Sequence, residues 1–85
     1  MIRTEAVFDC ADSLTPDVAA ALAQVTERYR AHLEMECVGK RVLLDSLIGI
    51  LSVPCPRGTR LTVIADGEDE QAAAGAIREV IEERG

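Results

Sequence analysis

The first residues of the chain alternate. Ile2, Thr4, Ala6 and Phe8 fall on one side of an extended segment, and Arg3, Glu5 and Val7 on the other. That period of two is what a half-buried strand requires. Residues 9–14 are rich in turn formers and read as a loop. Thr15-Pro16-Asp17 then predicts a helix start. Threonine caps free amides, proline suits the first helical position, and an aspartate in the first turn complements the helix dipole. Val18, Leu22, Val25 and Tyr29 recur at helical spacing and mark the face turned to the core. From residue 31 to 37 the period returns to two, with Ala31, Leu33, Met35 and Cys37 opposite His32, Glu34 and Glu36. Val38-Gly39 is a tight reversal, and residues 40–44 are the partner strand of a hairpin.

Ser46 opens a short second helix that runs to about residue 52 and is stopped by Pro54 and Pro56. Residues 60–65 form the fourth strand, with Leu61, Val63 and Ala65 inward. Asp66-Gly67 turns, and Glu68-Asp69-Glu70 places carboxylates at the positive end of a last helix. Ala73, Ile77, Val80 and Ile81 are its buried stripe, while Arg78 and Glu82 are spaced to pair on its surface. The order strand, helix, strand, strand, helix, strand, helix predicts one two-layer α+β domain, with amphipathic helices on one face of an antiparallel sheet.

Composition narrows the function. In 85 residues, 48% are hydrophobic, but Phe8 and Tyr29 are the only aromatics, so aliphatic and small side chains must fill the core. The formal net charge of −6, with no basic stripe, argues against direct binding to nucleic acid. The apolar run near residues 42–53 is interrupted by Asp45 and is too short to span a bilayer. No signal peptide precedes the first strand, so a cytoplasmic protein without a membrane partner is expected. Cys10, Cys37 and Cys55 show no CxxC spacing and fit neither a disulfide framework nor a zinc site. Free thiols in a reducing compartment are the expectation, with no metal and no cofactor. His32 lies on the polar side of its strand, with no carboxylate or metal-ligand partner spaced to serve it, and reads as solvated.

The second helix carries the strongest functional signal. Leu47, Ile48, Ile50 and Leu51 are four apolar residues within five. A single-turn helix buries only one side. Ile50 is expected in the core, leaving Leu47, Ile48 and Leu51 exposed as a partner-binding face. Ser46, at the mouth of this helix, is either an N-cap alone or also a modification site.

Four short pieces recur in a known order: Gly39-Lys40 in the hairpin, Ser46-Leu-Ile-Gly49 before an apolar run, Gly58 before the fourth strand, and Gly67-Glu-Asp-Glu before an alanine-rich helix. Together they resemble HPr, the phosphocarrier family of the bacterial sugar phosphotransferase system, from Ile2 to about Glu83 and without a gap. The resemblance implies an HPr-like open-faced β-sandwich, four antiparallel strands under three helices. It also implies an active site, Gly-(Leu/Ile)-His-Ala-Arg-Pro, at the start of the first helix. There the phosphoryl group sits on the imidazole, steadied by helix amides and the arginine. In this chain Thr15 stands at the histidine position and Asp17 at the arginine position. A phosphothreonine is a stable ester and a poor donor, and Asp17 sets an anion beside the site. The degenerate residues then serve as helix caps.

The resemblance therefore implies a noncatalytic, Crh-like regulatory member lacking the phosphocarrier histidine, and not an enzyme. Ser46 matches the serine that HPr kinase phosphorylates in Gram-positive relatives, whose phosphoserine form binds the carbon-catabolite regulator CcpA. An HPr kinase or a CcpA-like regulator is the implied partner, and a homodimer is a further candidate. Asp45 before the serine and Asp17 at the arginine position depart from the family pattern. The same likeness brings the loops of Cys10 and Cys55 together as a candidate redox pair. Two alternatives stand beside this reading. One is a small-ligand-binding regulatory domain on a ferredoxin-like fold, with its effector at residues 15–18 or at a dimer seam. The other is a structural, oligomer-forming subunit.

Overall fold

The computed structural model describes residues 1–9, 12–53 and 55–82. Its elements follow the expected order: β1 (Ile2–Val7), α1 (Pro16–Thr26), β2 (His32–Cys37), β3 (Lys40–Leu43), α2 (Leu47–Leu51), β4 (Arg60–Asp66) and α3 (Glu70–Glu82). The sheet order is β1-β4-β2-β3, and each neighbouring pair is antiparallel. The last strand is thus inserted between the first two. Ile2 lies opposite Ala65 and Val7 opposite Arg60, while His32 lies opposite Asp66 and Glu36 opposite Thr62. β3 occupies an edge, with Cys37 opposite Lys40 and Glu34 opposite Leu43.

Alternation decides which side of the sheet is covered. Ala6, Phe8, Leu33, Met35, Cys37, Leu61, Val63 and Ala65 point into one core. There they meet Leu22 and Val25 of α1, Ile50 of α2, and Ile77 and Ile81 of α3. Ala19, Ala73 and Ala74 join them, small side chains that let the helices approach closely. Val18 and Val80, expected in the helix stripes, pack half-buried at the rim. So does Tyr29, but outside the helix it was expected to extend, because α1 ends at Thr26 and tightens into turns in which the Arg28 and Tyr29 amides donate to Val25 O and Thr26 O. The opposite face carries Arg3, Glu5, Glu34, Glu36 and Thr62. This is the open-faced α+β sandwich.

Ile64 is an exception on that open face. It alternates outward from β4 and stands apart from the helix-side core, yet it is buried. Its cross-strand neighbours are Arg3 and Glu34. A residue on an inner strand is covered from both sides by flanking chains, and long polar side chains shield it with their aliphatic stems.

Several boundaries differ by one residue from expectation. Phe8 lies just beyond β1 and still donates its N–H to Thr59 O at 2.9 Å. Leu44 leaves β3, donates to Leu33 O at 3.1 Å and buries its side chain in the core. The hairpin reverses at Val38 (φ 53°) and Gly39 (φ 77°). Two positive φ values suit a two-residue primed turn, which glycine adopts freely and a β-branched valine uncommonly. The expected stop at Pro54 lies outside the described residues.

Two carboxylates at the start of α3 do more than complement its dipole. Asp69 accepts the backbone N–H of Arg30 at 2.9 Å and of Ala31 at 2.8 Å, fastening the α1–β2 connection. Glu70 accepts the Gly67 N–H at 3.1 Å. A Cβ at Gly67 would stand 2.7 Å from the Ala31 Cα, so only glycine allows this close approach. At the far end of α3, Glu82 pairs with Arg78 at 2.9 Å, as its spacing predicts, and also accepts the Val7 N–H at 3.0 Å.

Candidate functional site

The start of α1 is built as a capped helix. Thr15 is extended (φ −102°, ψ 165°), and its hydroxyl accepts the Val18 N–H at 3.3 Å. Pro16 takes the first helical position, and Asp17 is exposed in the first turn. The loop leading here is stitched to the loop before β4. The Arg57 N–H donates to Asp12 O at 2.8 Å, and its guanidinium reaches Asp9 Oδ1 at 3.1 Å and Asp12 Oδ1 at 3.4 Å. Sequence spacing did not reveal Arg57. It is a cation in a loop, and its partners lie more than forty positions away. The loop juxtaposition implied by resemblance is therefore present, but Cys10 lies outside the described residues. Cys55 is buried, and its sulfur stands 4.0 Å from that of Cys37 rather than opening to the surface.

His32 departs from expectation. Its Nε2 stands 2.7 Å from Glu34 Oε2, while Glu34 Oε1 accepts Arg41 Nε–H at 2.6 Å. Residues two apart on a strand share a face, so a carboxylate does serve this histidine. Burial raises the affinity of Glu34 for protons, but Arg41 and then His32 outweigh it and hold the carboxyl below its ordinary value.

Ser46 caps α2. Its backbone is extended (φ −111°, ψ 108°), and its Oγ accepts the Gly49 N–H at 3.2 Å. A Cβ at Gly49 would lie 3.3 Å from that Oγ, so the glycine leaves room for the capping hydroxyl. Asp45 beside it is exposed. Of the four apolar residues, Ile50 is wholly buried, while Leu47, Ile48 and Leu51 are 47%, 85% and 44% exposed. The expected split between core and surface is present. A short helix cannot turn three such residues inward at once, so they form an aliphatic surface next to the capped serine.

A family model described as "PTS HPr component phosphorylation site" matches residues 3–83. The phosphocarrier protein HPr of Borreliella burgdorferi is 29% identical over 96% of this chain and 95% of that protein. Among solved structures, an HPr from Bacillus anthracis matches with a TM-score of 0.88 and 25% identity, covering 94% of this chain and 95% of that one. The Bacillus subtilis catabolite-repression protein Crh, solved as an intertwined swapped dimer, matches with a TM-score of 0.79 and 32% identity over 87% of this chain and 85% of that one. These likenesses favour the open-faced sandwich over the ferredoxin-like alternative.

Proposed function

The chain belongs to the PTS HPr family, and from that premise we propose that it is a noncatalytic regulatory member working by protein–protein contact. The contact face is Leu47, Ile48 and Leu51, and Ser46 is its switch. One observation carries this reading: three large aliphatic side chains of one five-residue helix stand in water while the fourth, Ile50, is in the core. Such exposure is unfavourable unless a partner covers it. The start of α1 supports the loss of carrier chemistry. Thr15 spends its hydroxyl on a helix cap, and the single histidine, His32, is paired with Glu34 on the open face of the sheet.

Phosphorylation at Ser46 would place a dianion and three strong acceptors where one hydroxyl now receives the Gly49 N–H. The neighbouring Asp45 opposes that charge, so part of the gain must come from a cation on the partner. An HPr kinase and a CcpA-like regulator, in the cytoplasm, fit that role. The test is intact mass after incubation with ATP and an HPr kinase. The expected product carries one phosphate, and the Ser46→Ala chain carries none. An unmodified chain would remove Ser46 as a switch. Ile48→Glu is expected to abolish partner binding, and undiminished binding would remove the apolar face. Self-association is a second reading, favoured by the same exposed face and by the dimeric Crh relative. Mass at several protein concentrations separates it from a monomer that waits for another protein.

A further inference from the structure

We infer that Cys37 and Cys55 form a reversible intramolecular disulfide, closing a covalent ring around β3, Ser46 and α2. The two sulfurs face each other at 4.0 Å, with Cys37 Sγ–H donating to Cys55 Sγ. Both side chains lie in the same core, 1% and 3% exposed. Cys37 ends β2 beside the hairpin, and Cys55 lies in the connection from α2 to β4. A disulfide needs the sulfurs at about 2.05 Å, an approach of roughly 2 Å that side-chain rotation and a small shift of the connection can supply. No third protein group is required.

Access comes from the position of the pair in the fold. β3 is a four-residue edge strand, and the turn joining it to β2 holds Val38 at a positive φ. Edge elements with few partners open locally at lower cost than the centre of a sheet. Reaching the core-facing thiols therefore requires local opening at this edge, in which the buried Leu44 and Ile50 also leave the core. A small disulfide is the oxidant. One protein thiolate attacks it, forming a mixed disulfide and releasing a small thiol. The second protein thiolate then attacks the protein sulfur of that mixed disulfide and releases the second small thiol. Two protein thiols are oxidised, one small disulfide is reduced to two thiols, and the two protons pass to the departing thiolates.

The bond ties the end of β2 to the segment after α2. The segment bearing Ser46 and the aliphatic face can then no longer open on its own.

The experiment uses the full chain in a Cys10→Ser background and the unsubstituted chain beside it. Each is incubated with oxidised glutathione, quenched with an alkylating agent, and measured by intact mass and tryptic mapping. The expected product is lighter by two hydrogens and yields residues 31–40 cross-linked to residues 42–57. Its Tm is expected to rise by about 10 °C, since closing a loop of this length restricts the unfolded chain. Dithiothreitol should reverse the rise, and Cys37→Ala should abolish it. A persistent glutathione adduct, a disulfide between two chains, thiols that remain fully alkylatable, or a cross-linked chain with a lowered Tm would each overturn the inference.

Discussion

Asp69 supplies acceptors to two backbone amides of the connection between α1 and β2. Its carboxyl is held below its ordinary value of 3.8, chiefly by the Arg30 amide. Desolvation pulls the other way, and the Ala31 amide adds to the lowering. The unfolded chain therefore takes up this proton more readily than the folded one. The stability from Asp69 is complete above about pH 4 and is lost as pH falls through the lower folded-state value. Asp69→Asn keeps one acceptor but turns an N–H₂ toward the other amide. We expect the variant to unfold at lower denaturant than the parent at pH 7, the gap narrowing toward pH 3. Hydrogen exchange should show faster loss of the Arg30 and Ala31 amide protons. Gly67→Ala should cost about 1–3 kcal/mol by forcing its methyl against the Ala31 backbone, read as a Tm fall of roughly 5–20 °C. Asp69 was legible as a helix-start anion, but its clamp was not, because its partners are 38 and 39 positions away. The His32–Glu34 pair was legible in principle, since it needs only the shared face of residues two apart on a strand.

α2 divides one hydrophobic run between two environments, and substitutions along it should behave accordingly. Ile50→Ala empties space in the core and is expected to cost about 2–5 kcal/mol. Ile48→Ala changes a surface side chain and should stay within about 0.5 kcal/mol of the parent. Chemical denaturation of the two variants measures this contrast, and similar losses would mean that Ile48 is packed. Ser46→Ala removes the acceptor for the Gly49 amide and should cost about 1 kcal/mol. That is small enough to leave a usable unphosphorylatable control. The division of this helix was readable beforehand because four apolar residues in five cannot share one side. The ring of β3 and α2 between the two cysteines was not readable, because nothing in their spacing says that residues 37 and 55 meet.

The element order was written in periodicity and turn residues from end to end, but the order of strands in the sheet was not. Alternation tells which face of a strand is buried, never which strand lies beside it. That is why Ile64 passed as an outward residue: its burial follows from β4 being internal. The HPr resemblance supplies the architecture that periodicity lacks, while the tie from Arg57 to Asp9 and Asp12 depends on the folded loops meeting.

The insertion of β4 between β1 and β2 also governs how the protein can be made. During synthesis, β1, α1, β2, β3 and α2 all emerge before the strand that joins β1 to β2 exists. Until then the nascent chain holds one hairpin and an unpaired first strand, and such a hairpin is marginal alone in water. Sheet closure must wait for residues 60–66, so this long-range pairing follows synthesis of the five elements before it. A fragment of residues 1–59 is expected to show a disordered far-ultraviolet circular dichroism spectrum and to gain structure when a peptide of residues 60–85 is added. Residues 60–66 therefore complete the sheet by entering between strands made earlier in the chain.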